Sequence, residues 1–189
     1  QSFVAIQEDS VLFIFFFYSF TSNDLFLHKF SKSFNFQNCQ ISYLCSNCYR
    51  KPHCLDHNGK KPLEHSTRQI LKDVLKKADD MGFVSMVGSE LEFFLFNQTY
   101  EEIHKNNYTN FKESSWYIED YMIFQTTKEE DVMRELRNSL LESGIYVECS
   151  KGEAAPGQEE INVVFTDALS MADNHILIKN AAKEIAFKH

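Results

Sequence analysis

The sequence predicts an α+β fold over its last two-thirds, on three observations. Three amphipathic helical patterns each begin at a capping residue. Between them lie short aromatic and aliphatic runs with strand character. Glycines stand where the first two helices should stop, at Gly82 and Gly144.

The bulk properties narrow the function classes. At 189 residues the chain has ample material for a core, and its 43 % hydrophobic and 24 % charged content is ordinary for a globular protein. A net charge of −8 argues against a nucleic-acid binder, which needs a basic face, and gives no attraction to an anionic membrane. Five cysteines leave at least one unpaired in any intrachain pattern, so a reducing, cytoplasmic compartment is expected.

Residues 1–56 form an unassigned N-terminal segment that differs from the rest. Ten of the 18 phenylalanines precede residue 37. The apolar run Val11–Phe20 is too short to span a bilayer, has no signal-peptide flanks, and is expected to be a buried strand or a short core helix. The segment could also be a remnant or a gene-model artefact. Cys45-Ser46-Asn47-Cys48, with His53, Cys54 and His57 nearby, supplies only one half of a zinc site, so incidental reduced thiols are the expectation there.

Residues 57–189 carry the regular signals. Ser66 with Gln69 reads as a capping box opening a helix that turns Ile70, Leu71, Val74, Leu75 and Ala78 inward. The strand Phe83–Phe96 follows. Residues 97–120 are mixed polar and aromatic and read as a long loop. Thr127 with Glu130 reads as a second capping box, with Val132, Met133, Leu136, Leu140 and Leu141 inward. A strand at Ile145–Cys149, a Pro-Gly turn and a strand at Ile161–Phe165 come next. Asp167 then caps a helix whose inward set is Leu169, Ala172, Ile176, Ala182, Ile185 and Ala186. That helix has no stop signal before His189, as expected of a fragment of a larger domain.

Two acidic runs carry the chemistry. Glu90 and Glu92 are two apart on a strand, so they share a face at roughly 6.6 Å. At an effective dielectric of 20 they repel by about 2.5 kcal/mol, which a divalent cation would cancel. Glu153 and Glu160 flank the Pro156-Gly157 turn, and four glutamates on two strands make the oxygen-rich site that Mg²⁺ or Mn²⁺ prefers. The bland alternatives are a solvated edge strand and an acidic surface turn. Gly157 and Gln158 are expected to shape the turn.

The residues from about 57 to 189 resemble the first part of the catalytic domain of the glutamine synthetase family. The resemblance rests on Ser66-x-Arg68-x-x-Leu71-Lys72, on Glu90-Leu91-Glu92-Phe93-Phe94-Leu95-Phe96, and on Glu148 five residues before Glu153. It continues in Pro156-Gly157-Gln158-x-Glu160-Ile161-Asn162, and in Ala172-Asp173 followed by Lys179-x-x-x-Lys183-Glu184-Ile185-Ala186. It implies a partial catalytic domain with a largely antiparallel sheet and flanking helices. It also implies ligands of one divalent metal at Glu92, Glu153 and Glu160, a ligand of a second metal at Glu90, and a nucleotide contact at Glu148. ATP, glutamate and ammonia or an amine are the implied substrates, joined through γ-glutamyl phosphate, and a homo-oligomeric ring is the implied assembly of a full-length member. Thr67 stands where the family usually has proline. The chain ends before the family's later histidine, Asn-Gly loop and arginines, so it is expected to carry half a site and not to turn over by itself. The alternative is a non-catalytic relative with a structural or assembly role.

Overall fold

The computed structural model describes residues 4–7, 13–19, 61, 63 and 65–189. The cysteine stretch lies outside the described residues. In order, the elements are β1 Val4–Gln7, β2 Phe13–Ser19, α1 Thr67–Asp80, β3 Phe83–Phe96 and α2 Tyr100–Lys105, then α3 Ile123–Thr126, α4 Glu130–Glu142, β4 Val147–Gly152, β5 Gln158–Asp167 and α5 Ala168–Lys188.

β3 is the axis of the sheet. Its 14 residues pair antiparallel with β5 on one edge, while β1 and β2 share the other edge, opposite Phe93–Phe96 and Phe83–Ser89 respectively. β4 closes the far side against β5. The run Val11–Phe20 therefore contributes a strand over Phe13–Ser19.

Alternation along β3 fixes the two faces. Val87, Leu91, Phe93 and Leu95 are buried with Ile161 and Val163 of β5, under Val132, Met133, Leu136 and Leu140 of α4 and Met171, Ile178, Ala181 and Ile185 of α5. The even positions, Glu90 and Glu92 among them, turn to the other face.

The helices depart from expectation in instructive ways. Ser66 is the N-cap of α1, but its side chain makes no cap hydrogen bond. None of that helix is fully buried, and Ile70 and Val74 are about half exposed. Leu75 packs against the core, and an ion pair adds to it: Arg68 donates from Nε and Nη2 to the two Asp173 oxygens at 2.9 and 2.8 Å, tying α1 to α5. The Thr127 box does not form, because Thr127 follows α3 and donates its hydroxyl to the Ile123 carbonyl at 2.9 Å, while Glu129 stands at the N-cap of α4. A complete capping box forms at Thr99 and Glu102, opening α2 inside the stretch expected to be loop. Asp167 caps α5 as expected, accepting from the Ser170 N–H at 2.9 Å.

Ala182, Ile185 and Ala186 of α5 are buried as expected, but the first half of the helix buries Met171, His175 and Ile178 in place of Leu169, Ala172 and Ile176, and Ile176 points outward. Leu141 of α4 is also exposed. No helix among the described residues is long and apolar enough to cross a membrane.

Candidate functional site

Three strand positions assemble the acidic face. Glu92 of β3 lies directly opposite Glu160 of β5, and Lys151 of β4 lies opposite Glu160 from the other side. Side chains in register share a face, so one row reads Glu92, Glu160, Lys151 across three strands. Glu90 is two residues along β3, opposite Asn162. Glu148 falls at the irregularity in β4 between Val147 and Cys149 and is exposed.

Glu153 is delivered by the turn between β4 and β5. That turn is closed by the Glu153 N–H donating to the Gln158 carbonyl at 2.8 Å and the Gln158 N–H donating to the Ala155 carbonyl at 3.1 Å. Gly157 adopts φ +71°, and a Cβ there would lie 2.8 Å from the Leu95 carbonyl oxygen, so only glycine fits. The Gln158 side chain accepts from the Ala155 N–H at 3.1 Å and donates to Glu92 Oε2 at 2.8 Å. It therefore couples the turn that carries Glu153 to the strand that carries Glu92.

The charges on this face act on one another. Burial raises the Glu90 pKa, and repulsion from Glu160, Glu92 and Glu148 pushes it further against the opposing pull of Lys151. All of the expected metal and nucleotide carboxylates thus lie within one electrostatic neighbourhood, with Glu153 joined through Lys151. The ammonium of Lys151 donates to Glu160 Oε2 at 2.8 Å and also pairs with Glu153 Oε1. Burial alone would lower its pKa, but the bond to Glu160 and the negative charge of Glu160 and Asp120 outweigh that and keep it protonated. The face is therefore built of hard oxygen donors that already draw in a cation, which fits Mg²⁺ or Mn²⁺.

A second acidic group lies on the other face and has no counterpart in the sequence reasoning. Glu119, Glu129 and Glu159 are almost fully buried, with carboxylate oxygens within 4.8 Å of one another. Burial and the neighbouring Glu119 push the Glu159 pKa to about 10 and that of Glu129 to about 7, so Glu159 holds its proton at neutral pH while Glu129 is poised between its two forms. Glu119 Oε1 accepts from the Gly157 N–H at 3.3 Å, and the Glu119 N–H donates to the Glu153 carbonyl at 3.1 Å. The group pins the 115–126 loop against the turn that carries Glu153. One signal pointed to it: Glu159 adjoins Glu160 on a strand, so the two must face opposite ways. Glu119 and Glu129 arrive from distant positions and carry no such signal. Lys151 was missed as well, although it stands two residues before Glu153.

These features define a class: an α+β fold whose antiparallel sheet presents an acidic, oxygen-donor face beside a glycine-dependent turn. The model of the glutamine synthetase catalytic domain matches residues 64–189. Gamma-glutamylethanolamide synthetase GlnA4 of Streptomyces coelicolor is 38 % identical over 125 residues, 66 % of this chain and 27 % of that protein. Glutamate–isopropylamine ligase of a Pseudomonas species is 33 % identical over 135 residues, 71 % of this chain and 29 % of the relative. The solved structure of GmaS in complex with ADP superposes with a TM-score of 0.58 at 26 % identity, over 69 % of this chain and 29 % of that one. The chain belongs to the glutamine synthetase family. It spans just over a quarter of the length of these relatives.

Proposed function

We propose that this chain contributes the acidic half of an ATP- and divalent-metal-dependent ligase site that forms a γ-glutamyl amide from glutamate and ammonia or an amine. The observation that carries this reading is the row Glu92, Glu160, Lys151 with Glu90 and Glu153 beside it, in a member of a ligase family. Glu92, Glu153 and Glu160 are assigned to one metal ion, Glu90 to a second and Glu148 to the nucleotide. The unit that does this is residues 57–189, acting in a cytoplasmic homo-oligomer with glutamate and ATP as partners.

The ions would neutralise charge on the nucleotide phosphates and on the phosphoryl group passing to the γ-carboxylate of glutamate, the main task in phosphoryl transfer. The chain's own residues prepare for that. Gln158 holds one Glu92 oxygen and so aims the other. The strand pairing fixes Glu160 opposite Glu92, and the closed turn fixes Glu153. No group on this chain is assigned to the proton transfers or to the amine, and the isolated 189-residue chain is proposed to bind metal without turning over. Names among the relatives support an amine acceptor as readily as ammonia: ethanolamide synthesis and isopropylamine ligation are stated of two of them.

Calorimetry with Mn²⁺ tests the reading. Glu92→Ala and Glu153→Ala are each expected to weaken binding by at least about tenfold, the cost of losing a carboxylate from a small oxygen cage. Equal binding by the parent chain and both variants would remove the metal site. It would leave a structural member of the family as the better description.

A further inference from the structure

Lys151 sits in the middle of the acidic face. It is on β4 in register with Glu160, so its side chain is delivered to the same face by the sheet itself. Its Nζ donates to Glu160 Oε2 at 2.8 Å and pairs with Glu153 Oε1, two oxygens on two different segments. It also lies 5.0 Å from the centre of the Tyr121 ring, within cation–π range. The side chains of Lys151, Glu153 and Glu160 are 23 %, 17 % and 6 % exposed, so the contacts are shielded from water and only weakly screened by salt. Tyr121 is itself held at φ +55°, which turns its ring over the ammonium from the 115–126 loop.

We propose that Lys151 is a tethered monocation that holds the Glu153–Glu160 pair together and gives up these oxygens to an arriving divalent metal, so that this lysine sets the metal affinity of the site. The proposal rests on the metal-site reading given above. Glu153 Oε1 and Glu160 Oε2 cannot serve an ammonium and a divalent ion at full strength together, because two cations within a few ångströms repel. Removing the lysine from its carboxylates without a replacement would leave like charges facing each other on a half-buried sheet. The lysine therefore keeps the face folded before the metal arrives and competes with the metal afterwards. On displacement its long stem lets the ammonium swing outward along the Tyr121 ring, where it remains available to an anionic ligand.

The test compares Mn²⁺ binding by the full 189-residue chain with that of Lys151→Met and Glu153→Gln, by calorimetry, alongside thermal unfolding with and without Mn²⁺. Lys151→Met keeps the stem and removes the charge. Loss of a competing cation at this range is expected to tighten Mn²⁺ binding by about tenfold or more. In the absence of metal the same variant should melt below the parent, and saturating Mn²⁺ should close or invert that gap. Lys151→Arg should bind Mn²⁺ as the parent does. If Lys151→Met binds Mn²⁺ no more tightly than the parent while Glu153→Gln binds weakly, the lysine proposal fails and the metal site stands. If Glu153→Gln binds as the parent does, the metal site fails and the proposal with it. Should Lys151→Met fold poorly by circular dichroism, Lys151→Gln carries the same expectations.

Discussion

At the scale of single residues, adjacent glutamates of β5 have opposite fates. Glu160 faces the acidic side and accepts from Lys151, whereas Glu159 faces inward with Glu119 and Glu129. The inward group has a testable signature. Glu129 rises from an ordinary value of 4.5 to about 7, chiefly because burial disfavours its charge. A carboxyl raised in the folded state contributes stability that is complete below the unfolded pKa and is lost as pH climbs through the folded one. Between about pH 4.5 and 7 this residue should therefore make the chain less stable with rising pH, by at most about 1.4 kcal/mol per unit for one proton. Glu129→Gln keeps a polar side chain of the same shape without the charge. In urea titrations at pH 5, 6 and 7 it should gain on the parent steadily as pH rises, and parallel curves would refute the assignment. The outward glutamates were legible in the sequence because charges standing in apolar strand runs are conspicuous. Lys151 was not, since one lysine between acidic residues reads as an ordinary surface ion pair.

At the scale of elements, the caps show where local pattern suffices and where it does not. Asp167 and the glycines at 82 and 144 were legible because a cap oxygen and a left-handed glycine act within a few residues. The Ser66 and Thr127 boxes were not what they seemed. Ser66 does stand at the start of α1, only without its side-chain bond, whereas α4 starts beyond Thr127, and Thr99 met the same spacing rule inside an apparent loop. The expected α5 stripe holds over its second half and is offset over its first, where apolar residues stand nearly all round and β3 and α4 rather than periodicity choose the face.

β4 and the segment carrying Glu119 and Thr126 approach each other closely at Gly152. A Cβ on Gly152 would lie 2.4 Å from the Glu119 Cβ and 2.6 Å from the Thr126 methyl. Gly152→Ala must push the loop away from the strand, with an expected cost of about 1–3 kcal/mol from overpacking. The melting temperature should fall, and Mn²⁺ binding should weaken because Glu153 follows directly. An unchanged melting temperature would mean that the loop accommodates a methyl group freely.

At the scale of the whole molecule, most of the core lies between one face of the sheet and two helices, while an apolar surface stands open beside the site. Trp116, Tyr121, Ile123 and Phe124 are each between 76 % and 84 % exposed, all within one short stretch. Exposed apolar groups in such density mark a surface that associates. The 189-residue chain is expected to self-associate at micromolar concentration, and Ile123→Asp combined with Phe124→Asp should shift it toward monomer in light scattering. A parent chain that is already monomeric would remove that role from the surface. The family and the fold class were legible from short motifs, because each is a local spacing, and the same alternation placed Glu90 and Glu92 on one face. The pairing of β1 and β2 with β3 was not, since strand partners are chosen across long separations that no local pattern records.

The alternation of β5 also acts as a proofreading device during assembly. Its segment Gln158-Glu159-Glu160-Ile161 places carboxamide, carboxyl, carboxylate and aliphatic side chain in strict inside–outside order against Phe94, Phe93, Glu92 and Leu91. A slip of one residue exchanges the two faces completely. The slipped strand would press the charge meant for Lys151 into the hydrocarbon core and set Ile161 among the carboxylates. Few misassembled sheets are penalised on both faces at once. The adjacent glutamates thus bar every slip by an odd number of residues, because in those registers the acidic face and the core cannot form together.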